Sequence, residues 1–187
     1  ATPAGPGPTS TSTSTSTSTS TALWHSLYTA RIDYLRGALP AWQTRIDDLA
    51  QTTLPAGLLR ELLQHRLTVA ETSGNAAAAL TLAARLYDLG GHVDRSQEQC
   101  LASMWQAAQQ VVAGGGTAPP VTPATRAWLD LARASATQSS PQEHAAALQA
   151  WRASYPGHPA VNLADALAEA ALLDIGADRL ALLLPLS

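Results

Sequence analysis

The chain has no lysine, no phenylalanine and one cysteine in 187 residues, and each scarcity removes a class of chemistry. Without lysine there is no Schiff-base catalysis, no Ser–Lys acyl transfer and no phosphate-loop lysine. The basic residues are all arginines, eleven of them scattered singly, against a net charge of −3. A nucleic-acid partner needs a clustered basic face to neutralise phosphates, so that class is excluded. Cys100 has no second cysteine to bridge, and the cysteine count does not reveal a redox compartment. Beside Leu101 and Met104 it reads as a buried, inert thiol, with a reactive or pairing thiol as the alternative. No apolar run approaches the ~20 residues that span a bilayer. The first residues also lack the charged and apolar segments of a secretory leader.

Alanine and leucine dominate what remains. They pack closely in helical bundles and solenoids, so the composition points to an all-α chain. Residues 1–21 stand apart as a Pro/Gly segment followed by a Thr/Ser alternation. Neither face of that alternation is apolar, so residues 1–21 read as a disordered tether. Residues 22–176 read as a helical-repeat domain.

Trp24, Leu27, Tyr28 and Leu35 follow helix spacing until Gly37 and Pro40. A short helix then carries Trp42, Ile46 and Leu49. Pro55 opens a third with Leu58, Leu59, Leu62, Leu63, Val69 and Ala70, ending at Gly74-Asn75, a stop followed by an N-cap. Leu82, Leu86 and Leu89 mark a fourth helix, closed by Gly90-Gly91. Asp94 with Gln97, or Ser96 with Gln99, has capping-box spacing for the fifth. Its stripe of Leu101, Met104, Trp105, Ala108, Val111 and Val112 is the cleanest in the chain. After a loop over 114–120, Thr122-Pro123 and Ser140-Pro141 start two more helices, with Glu143 three residues after Ser140. Pro156-Gly157 ends the seventh, and an eighth runs from near Pro159 to Asp174.

About eight helices joined by short turns imply stacked antiparallel hairpins, each burying its apolar face on the next. The repeats are irregular, because the tetratricopeptide consensus positions do not recur. Residues 177–187 break the pattern. Ala181-Leu182-Leu183-Leu184 before Pro185 has the length of a buried strand, yet no other strand candidate exists to pair with it.

No catalytic constellation appears. His25, His65, His92, His144 and His158 lie far apart, and no pair has a metal-ligand spacing. His158, in a turn, reads as a cap for the eighth helix or a partner of a nearby carbonyl, with ligand contact as the alternative. Asp47 and Asp48 point about 100° apart on a helix and read as a solvated face rather than an acid/base dyad. Trp105, Trp128 and Trp151 fall on apolar stripes and read as core, whereas Trp24 and Trp42 are candidates for a contact surface. No catalytic, cofactor-binding or metal-binding residue is assigned.

Three segments together resemble one family. They are Trp128-Leu129-x-Leu131-Ala132, the turn Trp151-x-x-x-Tyr155-Pro156-x-His158-Pro159-Ala160, and the terminal Leu-rich run to Ser187. The resemblance is to the LpoA/LppC family of outer-membrane lipoproteins, and it extends over nearly all of residues 22–187. It implies a tetratricopeptide-like N-terminal domain facing the periplasm of a Gram-negative bacterium. Residues 177–187 would then open an α/β periplasmic-binding-protein-like domain. It further implies a non-enzymatic spacer and docking role in activating a class A penicillin-binding protein, which the C-terminal domain would mainly contact, and so in regulating peptidoglycan synthesis. Peptidoglycan itself is a candidate partner, no cofactor is implied, and membrane attachment would come only through a lipid anchor that this chain does not carry. Alternative readings are the helical domain of a lytic transglycosylase, or a generic peptide-binding helical repeat. None of Glu61, Glu71, Glu98, Glu143 or Glu169 lies in a setting that matches the transglycosylase glutamate.

Overall fold

The computed structural model describes residues 13–114, 122–136 and 140–172. Among them it forms eight helices: α1 (Thr13–Leu35), α2 (Leu39–Ala50), α3 (Ala56–Thr72), α4 (Ala76–Asp88), α5 (Gln97–Ala113), α6 (Pro123–Ala136), α7 (Pro141–Ser154) and α8 (Val161–Leu172). The only strand-like pairing among the described residues is an isolated bridge between His92 and Arg95. The fold is therefore an all-α helical stack. The strand expected within 177–187 and most of the 114–120 loop lie outside the described residues.

The chain divides into two compact units, residues 1–62 and 63–187. In the first, α1 and α2 pack on one another. Leu27, Ala30, Ile46, Leu49, Leu58 and Leu62 form the core, with Leu23, Trp24, Trp42 and Leu54 packed against it. Each fully buried leucine contributes about 1.5–3 kcal/mol relative to exposure. The α1–α2 corner turns at Gly37, whose φ of 75° is a left-handed conformation open to glycine at little cost. There Gly37 N–H donates to the carbonyl of Tyr34 and Ala38 N–H to that of Asp33, at 3.0 and 2.8 Å. These bonds satisfy carbonyls that the helix end leaves open. Ion pairs Arg31–Glu61 (2.9 Å) and Arg45–Asp33 (2.8 Å) lie outside the core.

Helix α1 begins at Thr13, ahead of Ala22 where the apolar periodicity starts. The tether expected over 1–21 thus gives way to helix from Thr13 onward; residues 1–12 lie outside the described residues. Extending a helix fixes one residue per new hydrogen bond, whereas nucleation fixes several at once. A nucleus around Trp24 and Leu27 can therefore carry helix into a Thr/Ser segment with no apolar face of its own.

In the second unit, successive helices from α4 to α8 pack on their neighbours, and α4 also reaches α6. The core holds Leu63, Leu67, Leu80, Leu86, Met104, Leu129, Leu131 and Leu148 with a dense set of alanines. The turns follow the sequence punctuation closely. Gly74 (φ 71°) closes α3, and the Asn75 side chain accepts the Ala78 N–H at 3.1 Å to start α4. Of the two capping-box candidates for α5, the structure selects Ser96 with Gln99, with both reciprocal bonds present. Thr122 caps α6 together with Thr125, whose hydroxyl accepts the Thr122 N–H at 3.1 Å. Ser140 accepts the Glu143 N–H at 3.2 Å to cap α7.

Candidate functional site

Two groups of side chains in the second unit stand out, one that the sequence marked and one that it did not. The marked group joins α6, α7 and the turn before α8. Trp128 and Trp151 are buried, as are Leu129, Leu131, Ala132 and Ala160. The Trp151 indole N–H donates to the Ala127 carbonyl across 2.7 Å. Tyr155, which caps α7, donates its hydroxyl to Asp130 Oδ2 at 2.8 Å, while Arg133 holds Asp130 Oδ1 at the same distance. The bond to Asp130, with burial behind it, raises the Tyr155 phenol above its ordinary value.

His158 sits at the centre of this group. Its ring meets Trp128 and Trp151 edge-on, with centroids 5.1 and 5.4 Å away, and Tyr155 at 6.3 Å. Its Nδ1 accepts the Ala160 N–H at 3.2 Å, just ahead of α8. An accepting Nδ1 requires the neutral ring with its proton on Nε2. Burial favours the same state by lowering the imidazole pKa. Pro156 and Pro159 are exposed on the outer side of the turn. The arrangement fastens the α7–α8 corner onto α6.

The second group lines a cavity of about 340 Å³ among α3, α4 and α5, bounded by Ala70, Glu71, Ala76, Ala79, Arg95, Ser103, Gln106, Ala107 and Gln110. Arg95 binds Glu71 through two parallel bonds, Nη1 to Oε1 at 2.9 Å and Nη2 to Oε2 at 2.8 Å. Its Nε donates to Gln64 at 3.2 Å, Nη1 also reaches Ser103 Oγ, and Ser103 donates to Glu71 Oε1 at 3.0 Å. Two-pronged arginine–carboxylate pairing fixes geometry as well as charge. The short segment between α4 and α5 delivers Arg95. Gly90 and Gly91 both take positive φ, and His92 and Arg95 exchange backbone bonds at 2.7 and 3.0 Å. A Cβ on Gly91 would lie 2.8 Å from the Arg95 carbonyl oxygen, so glycine is required there.

The family model described as "LppC putative lipoprotein" matches residues 14–187. The chain belongs to the LppC family. No curated protein and no solved structure matches it. Of the three segments in this LppC chain that resemble the family, the fold brings two together in the α6–α8 corner, and the Leu-rich run to Ser187 lies outside the described residues.

The remaining candidates stay apart. Asp47 and Asp48 are exposed, and Asp47 accepts a bond from Gln43 at 2.9 Å. His65 and His144 are buried on α3 and α7. Cys100 is fully buried, and that burial raises its thiol pKa, which keeps it protonated and unreactive. Among the described residues, no three His, Cys, Asp or Glu side chains gather as a metal site. No described helix is long and apolar enough to cross a membrane. Trp24 and Trp42 are half-buried against the first unit's core, and Trp24 stacks on the half-exposed Tyr28 at 5.8 Å. The α3–α5 cavity was missed in the sequence because Glu71 and Arg95 are 24 residues apart. The one sequence signal toward it was Gly90-Gly91, a turn with more glycine than a helix stop needs.

Proposed function

We propose that this LppC chain is the non-enzymatic spacer and docking part of an envelope lipoprotein. In this reading the whole lipoprotein, mainly through its C-terminal domain, activates a class A penicillin-binding protein at the periplasmic side of the outer membrane and thereby regulates peptidoglycan synthesis. The single observation that carries the proposal is the family match over residues 14–187, joined to an all-α stack. A stack suits the task because a preordered surface loses fewer conformations when a partner engages. A structural role also agrees with the state of the acidic side chains: Glu61, Glu71, Asp130 and Asp165 are each tied to an arginine. The transglycosylase reading gains nothing from the family match.

The decisive experiment compares the natural gene product with a version lacking residues 22–172. Recovery of the synthase on affinity beads and its glycan polymerisation rate are measured side by side. Both should fall when the helical region is removed. Equal recovery and an equal rate would overturn the spacer and docking role.

A further inference from the structure

The α3–α5 cavity has a chemistry that points to its ligand. Charges on its walls cancel, because among the described residues Arg95 and Glu71 are the ionised side chains lining it and they neutralise one another. A ligand carboxylate would have to displace Glu71 from Arg95, and Glu71 holds two bonds from within the same chain. An anionic ligand is therefore disfavoured. What the walls do offer is a mixture of uncharged donors and acceptors. Gln106 and Gln110 are exposed and stand one turn apart on α5, with Ser103 on the same face. Residues four apart on a helix rise about 6 Å. Alternate residues of an extended chain repeat every ~6.6 Å, so the two glutamine amides match successive same-side backbone amides of a strand. Each glutamine carries both a donor and an acceptor, as does each peptide unit.

Side-chain size is set by the rest of the lining. Ala70, Ala76, Ala79 and Ala107 contribute only methyl groups. Ala70, Ala79 and Ala107 are buried within the helix packing. A volume of about 340 Å³ falls at the small end of the ~300–1,000 Å³ range of ligand sites. Among the described residues no aromatic ring lines the cavity on which a sugar face could stack, which favours a peptide over a glycan.

We propose that the α3–α5 cavity binds an uncharged, extended peptide segment whose inward side chains are no larger than alanine or serine. Gln106 and Gln110 pair with its backbone, and the Arg95–Glu71 pair forms a fixed polar wall. The proposal is independent of synthase activation, since a peptide can bind here whether or not the chain reaches a synthase.

Fluorescence anisotropy with a labelled, end-blocked Ala-Ser hexapeptide tests it on the whole chain. Saturable binding is expected. Ala76→Trp, which fills the cavity from a half-exposed position at the start of α4, should abolish it. The double variant Gln106→Ala/Gln110→Ala, on the exposed face of α5, should weaken it by about ten-fold, equivalent to ~1.4 kcal/mol. A Leu-substituted peptide should bind less tightly than the Ala-Ser probe. Circular dichroism checks the fold of each variant, and the glutamine pair keeps the test alive if Ala76→Trp fails to fold. Absence of saturable binding, or binding that neither variant alters, overturns the proposal. So does retention of an N-acetylglucosamine oligomer in place of the peptide, an outcome that would make the cavity a glycan site.

Discussion

Trp151 on α7 donates its indole N–H to the Ala127 carbonyl of α6 at 2.7 Å, and the same ring packs against His158 ahead of α8. One side chain thus joins three successive elements. It combines a large apolar surface with a hydrogen bond to a backbone acceptor inside a helix.

Replacing it separates those contributions. Trp151→Phe keeps most of the apolar ring but removes the donor, and should cost about 1 kcal/mol. For a chain of this length that lowers the melting midpoint by roughly 2–4 °C. Trp151→Ala also opens a cavity, and the loss should reach about 3–5 kcal/mol. Urea unfolding of both variants measures the difference. No loss in Trp151→Phe would mean that the bond to Ala127 contributes nothing, and equal losses in the two variants would mean that the ring's burial adds nothing beyond that bond.

Gly91→Ala should be among the most damaging single-methyl additions in the chain. Its φ is 80°, and the added Cβ would meet the Arg95 carbonyl oxygen at 2.8 Å. Backbone strain alone is worth about 1–3 kcal/mol. Gly74→Ala, with a similar φ of 71° but open space around the Cβ, is the control. Thermal unfolding should show a larger loss at Gly91 than at Gly74.

Breaking the Arg95–Glu71 pair tests whether the cavity wall is fixed. Glu71→Gln leaves one prong and removes the exposed carboxylate's charge from beside the more buried Arg95 guanidinium. The expected cost is about 1–2 kcal/mol, above an exposed pair and below a fully buried one. Thermal melting at low and high salt reports the loss. An unchanged midpoint would show that Gln64 and Ser103 alone hold Arg95.

Stability should fall with acid before the carboxylates titrate. Burial depresses the imidazole pKa of both His144 and His158 below the ordinary 6.5. Both are neutral when folded, and the unfolded chain binds the extra protons. The stabilisation is therefore complete above pH 6.5 and is lost as pH falls below it toward the folded values. His144 adds a second cost, since its Nε2 is buried without a partner among the described residues. Urea midpoints at pH 7.5 and 5.5 should separate for the native chain. The separation should shrink in His144→Leu and again in His144→Leu/His158→Phe; an unchanged separation in both variants would rule out these two groups.

Hydrogen exchange should divide α1 into two parts. Thr13–Thr21 belong to the helix but bring no apolar residue to the core, whereas Leu23, Trp24, Leu27 and Ala30 do. Amides in the Thr/Ser segment should exchange at least about ten-fold faster than those near Leu27, because a helical stretch that carries no apolar side chain opens locally. Uniform protection along α1 would contradict propagation from the Trp24–Leu27 nucleus.

Local punctuation and periodicity by themselves determined the element list of this protein. Gly37, Gly74 and Gly90 end helices because glycine tolerates the left-handed turn, and Asn75, Ser96 and Ser140 start them because their side chains accept open backbone N–H groups. Such choices depend on neighbours within a few residues, which a sequence displays directly. The burial of Trp105, Trp128 and Trp151 was legible for the same reason, since each falls on an apolar stripe. Tertiary structure decided what lay beyond that range. It carried α1 back to Thr13, chose Ser96 over Asp94 as the cap, and set His158 between two indoles from different helices. It also closed Arg95 onto Glu71 across 24 residues, and with that made one polar wall of the α3–α5 cavity. Pairing at that distance depends on how helices stack, and stacking is fixed by the summed fit of many small apolar side chains rather than by any motif.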